Sequence, residues 1–169
     1  MKTRMSFEGK TRIVLLVGKR AIKIARIRPI STLLRLLTLP FSSAAREKFF
    51  EKYGAGFFSA TLHYLFVGIV ANRNEYALYQ AKKDSRVAPT LALHLGGLVA
   101  VQVRGAAISQ GELKELSPFN FTGLPQSICI QLENPNQYCY IPSHGVVLVD
   151  YGDRRVCELL SAQIGRAHV

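Results

Sequence analysis

The amino-acid sequence predicts an α+β domain built on antiparallel sheet. Three observations carry that expectation. Two Val- and Ile-rich runs meet at a Gly18-Lys19 turn, helical spacing of apolar residues takes over from Pro29 to Asp84, and five short β-like runs follow between Ala88 and Val149. A chain of 169 residues suits a single domain and is long enough to bury roughly 70% of the surface its unfolded form exposes.

The opening hairpin spans residues 10–28, KTRIVLLVGKRAIKIARIR. Alternation in its second arm sets Lys23 on the face opposite Ile22 and Ile24, and Pro29 ends the arm. Leu33, Leu34, Leu36 and Leu37 then mark a short basic helical segment that Pro40 interrupts. Ser43 offers an N-cap to a helix ending at Tyr53 before Gly54. A further helix is expected over about Phe57 to Lys83, with Glu75, Leu78, Tyr79 and Lys82 on one face. Gly96-Gly97 separates two β-like runs, Ala88 to Leu95 and Leu98 to Val103, as in a tight hairpin. Arg104-Gly105 breaks the second run, and Ser109 caps an expected helix over Gln110 to Leu116. Ile128 to Leu132, Tyr138 to Ile141 and Val146 to Val149 complete the β-like set, divided by Asn-Pro-Asn and Pro-Ser-His-Gly turns.

Charge is unevenly distributed. Residues 1–52 hold 13 Lys or Arg against 3 Asp or Glu, a net +10, whereas residues 53–169 hold 9 against 8. A local positive field of this kind attracts phosphates on nucleotides, nucleic acid or anionic lipid. Cys129, Cys139 and Cys157 form an odd set without metal spacing, so neither a disulfide framework nor a zinc site is expected. The polar start, MKTRMSFEGKTR, leads into no signal-peptide-like apolar run, which predicts a cytoplasmic setting. Ala55 to Ala71 is the one membrane candidate, but at 17 residues with Ser59, Thr61 and His63 it reads as a core helix and no transmembrane segment is expected. Residues 164–169, IGRAHV, can be encoded by the start of a common sequencing adapter, which predicts a non-native tail after about Gln163.

Taken in order, the hairpin, lysine strand, glutamate helix, second hairpin, Gly-containing break and final strand into Val149-Asp150-Tyr151-Gly152 resemble the protein-kinase fold. The resemblance implies a kinase-like antiparallel N-lobe sheet, an inserted helical segment over about 29–70 and a reduced second lobe, with residues 1–163 as one domain. In that family a strand lysine grips nucleotide phosphates and pairs with a helix glutamate. Arg20-Ala21-Ile22-Lys23 and Glu75 in NRNEYALYQ resemble these two elements. Asp150 resembles the magnesium-binding aspartate, and Asn136, 14 residues upstream, resembles its asparagine partner. ATP and magnesium are the cofactors so implied, through Lys23, Glu75, Asn136 and Asp150.

Departures from the family pattern are equally specific. Gln131 stands where the family has its catalytic-loop Asp, and an amide cannot accept a substrate proton. Gly9 and Gly18 are the only glycines available for a phosphate-cradling loop. The expected function is a degenerate kinase-like domain that holds a nucleotide without transferring phosphate. The alternative is a non-enzymatic basic module binding nucleic acid or another anionic partner through Arg12, Lys19, Arg20, Arg26, Arg28 and Arg35. Ile30 to Phe41, combining leucines with Arg35, also suits peripheral membrane attachment. His63, His94, His144 and His168 show no metal spacing, and the chain has no Walker A loop or G-x-S-x-G element.

Overall fold

The computed structural model describes residues 4–6, 11–54, 56–117, 119 and 126–166. Five strands, β1 (Arg4–Ser6), β2 (Arg12–Val17), β3 (Arg20–Ala25), β4 (Thr90–His94) and β5 (Val99–Val103), form one antiparallel sheet in the order β1-β2-β3-β5-β4. The chain leaves it at Arg104-Gly105 and enters a second antiparallel sheet of β6 (Ala106–Ala107), β7 (Tyr138–Ile141) and β8 (Gly145–Leu148). The helices are α1 (Pro29–Thr38), α2 (Ser43–Tyr53), α3 (Phe57–Leu65), α4 (Val67–Lys82), α5 (Gln110–Leu116), α6 (Gln126–Leu132) and α7 (Arg154–Arg166). Segregated helices and antiparallel sheets make this an α+β architecture.

Gly18, at a φ of 56°, turns β2 into β3, so Arg12 pairs with Ala25 and Val14 with Lys23. Directly paired residues share a face, and so do residues two apart, which places Arg12, Ala21, Lys23 and Ala25 on one side of the sheet. All four are buried. Helix α4 lies on that side. Small residues permit the approach: a Cβ on Gly68 would stand 2.4 Å from the Thr11 carbonyl oxygen and 3.1 Å from the Ala25 Cβ.

The main core gathers Leu78 of α4, Leu113 of α5, Leu132 of α6, Leu148 of β8, and Val156 and Leu160 of α7. Helices α1 to α3 have a separate small core of Leu39, Phe49 and Ala60, flanked by Tyr53 and Tyr64. They occupy most of the expected helical segment between β3 and the glutamate helix.

Several local expectations change. Ile128 to Leu132 is helical rather than extended. Ile128 and Leu132, four residues apart, are buried while Ile130 is exposed, so the helical period prevails over alternation. The expected Phe57 to Lys83 helix is two helices broken at Phe66, whose φ of −108° and ψ of 20° leave the helical region. Ser42, not Ser43, caps α2 by accepting the Ala45 amide at 3.2 Å. Within the Ala55 to Ala71 stretch, whose first residue lies outside the described residues, residues 57–65 form α3 and residues 67–71 open α4, and no helix among the described residues is long and apolar enough to cross a membrane. Ser109 caps α5 as expected, with Glu112 closing the reciprocal capping box.

Candidate functional site

Three chain segments converge beneath the first sheet. Lys23 projects from β3, Glu75 from the buried face of α4, and Asp150 follows β8. Lys23 Nζ donates to Glu75 Oε2 at 2.7 Å and to the Val149 carbonyl oxygen at 2.5 Å. The structure therefore brings together three of the four residues singled out in the sequence. Asn136 is exposed in the turn before β7. Its neighbour Gln137 accepts the Val149 amide at 2.7 Å, which extends the β7–β8 register toward Asn136 and Asp150, but the two side chains share no hydrogen bond among the described residues. Gln131 lies on α6.

Arg12 completes the cluster, and here the surface role expected for it is corrected. Its side chain is buried rather than part of an exposed basic patch. Nη1 donates to Glu75 Oε1 at 2.7 Å and to Asn72 Oδ1 at 3.2 Å, while Nη2 pairs with the Asp150 carboxylate. A guanidinium offers donors in a fixed planar fork, so its two terminal nitrogens can each hold a separate carboxylate. Asn72, fully buried, fixes the geometry from the other side. Its Nδ2 donates to the carbonyl oxygens of Gly97, at 2.9 Å, and Lys23, at 3.3 Å.

Two cations and two carboxylates thus share one largely dry site. Burial disfavours the charged guanidinium, but Glu75 and Asp150 outweigh it and hold the Arg12 pKa above its ordinary value. For Lys23 the balance is reversed. Burial pulls its pKa below the usual lysine value, Glu75 opposes the shift, and the Arg12 charge adds to it.

The Asp150 carboxylate is the one partly open member, with about half of its side chain exposed. Beside it lies a cavity of about 410 Å³ whose walls include Tyr53, His63, Asp153 and Arg155. The two residues after Asp150 anchor the segment. Tyr151 is buried and its hydroxyl lies 2.9 Å from both Thr90 Oγ1 and the Ala88 carbonyl oxygen. A Cβ on Gly152 would come within 2.6 Å of the Ala71 carbonyl oxygen, so only glycine lets this turn rest on α4.

A hard cation does not fit the cluster as arranged. The Asp150 carboxylate already carries a guanidinium, and the four charges sum to zero. Lys23 is likewise committed to internal acceptors. No family model, no curated protein and no solved structure matches this chain.

The remaining basic residues do not form one patch. Lys19 and Arg20 are exposed at the β2–β3 turn, whereas Arg26 and Arg28 follow the opposite end of β3 and Arg35 lies on α1. A six-residue strand separates the two groups by about 20 Å.

Arg12 and Asn72 are the site residues that sequence reasoning missed. The signal for Arg12 was present. Once Gly18-Lys19 is taken as the turn, the same register that sets Lys23 toward the core sets Arg12 on its face, two strand positions from the Lys23 partner. Asn72 stands three residues before Glu75, one helical step away on the same face.

Proposed function

We propose that this chain is a degenerate kinase-like domain that does not transfer phosphate, and that Arg12 holds its central carboxylates in a neutralised, closed state. The observation that carries this reading is the buried four-residue cluster in which Lys23 pairs with Glu75 while Arg12 bridges Glu75 and Asp150. The Lys23 and Glu75 pair supports the kinase comparison. Gln131 supplies no base, and phosphoryl transfer depends on positioned charge and metal that the closed cluster leaves no room for. Magnesium nucleotide binding, implied by the resemblance, requires Arg12 to release Asp150.

Thermal unfolding with ATP, with and without magnesium, tests this. The wild type is expected to show no magnesium-dependent rise in melting temperature, because the carboxylates are already paired. A magnesium-dependent rise that Asp150→Asn abolishes would contradict the closed state and favour an open nucleotide site.

A further inference from the structure

We propose that the exposed face of α1, with the turn that follows it, docks on an anionic phospholipid surface. Ile30, Leu33, Leu34 and Leu37 are 74, 60, 59 and 58% exposed, and Phe41 is 89% exposed. The four α1 residues fall at i, i+3, i+4 and i+7, so they form one stripe along the helix. The helix is not left bare by lack of a core. Leu36 and Leu39 pack with Phe49 and Ala60, and Thr32 is buried, so α1 has one apolar side against α2 and α3 and a second facing outward. Phe57 and Phe58 add further exposed rings at the start of α3, the helix on which α1 packs. A soluble domain rarely leaves so many large apolar side chains together without a partner.

Charge identifies the partner. No Asp or Glu occurs between Gly9 and Arg46. Arg26 and Arg28 lead into α1 and Arg35 lies on it, all three partly exposed. The Arg28 guanidinium is held 4.7 Å from the centre of the Tyr64 ring, which restrains it beside the helix. A leucine stripe bordered by arginines, on a helix of ten residues that is far too short to span a bilayer, matches an interfacial helix lying in the headgroup plane. Neutral lipid would satisfy the stripe but not the arginines, each of which gains about a fivefold stronger attraction near an anionic leaflet.

Co-sedimentation of the full chain with vesicles tests the proposal, using phosphatidylcholine alone and phosphatidylcholine containing phosphatidylglycerol. The wild type is expected to bind the mixed vesicles, to bind the neutral ones weakly, and to lose binding as salt is raised. Leu33→Glu with Leu37→Glu should lower partitioning by about a hundredfold while leaving the circular dichroism spectrum unchanged, since both side chains are exposed. Arg35→Gln should lower only the anionic component, by about fivefold. Three outcomes would overturn the proposal. The first is a wild type that binds neither vesicle type. Binding to charged vesicles that survives the double substitution would mark a general polyanion surface, nucleic acid included. A concentration-dependent dimer dispersed by the double substitution would show that a second copy of the chain covers this face.

Discussion

Arg12 and Asp150 stand 138 positions apart in sequence and share an ion pair at the edge of a cavity. One partner is buried and the other half exposed. The pair closes a network whose inner half, formed by Arg12, Lys23 and Glu75, is almost entirely removed from water. Removing members of this network should have very unequal effects.

Glu75 is the common partner of both cations. Glu75→Gln leaves two buried positive charges with a single half-exposed carboxylate nearby, and should cost about 3–5 kcal/mol. Asp150→Asn removes a charge that water already screens, and should cost about 1 kcal/mol or less. Urea unfolding of the two variants checks the ranking, and equal losses would contradict the assignment of Glu75 as the hub.

Lys23 makes a prediction about pH. Burial lowers its folded pKa below the ordinary lysine value of 10.5. Between those two values the unfolded chain binds the extra proton, so stability contributed at this position rises with pH across that interval and is level outside it. Subtracting the unfolding free energies of Lys23→Met from those of the wild type at a series of alkaline pH values should give a difference that moves in favour of the wild type as pH rises. A difference that moves the other way would mean that Glu75, not burial, dominates the lysine.

Gly68 sets the distance between α4 and the sheet. An alanine there would place its Cβ 2.4 Å from the Thr11 carbonyl oxygen, a backbone atom that cannot swing aside. Gly68→Ala should therefore destabilise by about 1–3 kcal/mol, despite the better helix propensity of alanine. A melting temperature at or above that of the wild type would show that α4 sits further from β2 and β3.

Much of the fold was legible because local rules acted without competition. Gly18 turned β2 into β3, Gly54 ended α2, and the Ser109 cap placed α5. The approach of Lys23 to Glu75 was expected from the kinase resemblance alone, since alternation set Lys23 only on the face opposite Ile22 and Ile24 and did not say which face is buried. Ile128 to Leu132 misled because a short apolar run fits both periods, and tertiary burial of Ile128 and Leu132 decided it. Helix α7 was hidden because its stretch opens on Asp153, Arg154 and Arg155, a polar start that resembles a loop. Arg12 was hidden for a different reason. Arginine is ordinarily a surface residue, and its burial became acceptable only through two carboxylates, one of them 63 and the other 138 residues away.

A double-mutant cycle between Arg12 and Glu75 bears most directly on the closed cluster. Unfolding free energies of the wild type, Arg12→Met, Glu75→Gln and the double variant should yield a coupling of about 1–3 kcal/mol, with the double variant less damaged than the two single losses added together. Losses that add to within about 0.3 kcal/mol would mean that the guanidinium and the carboxylate do not meet, and the closed state would fall with them.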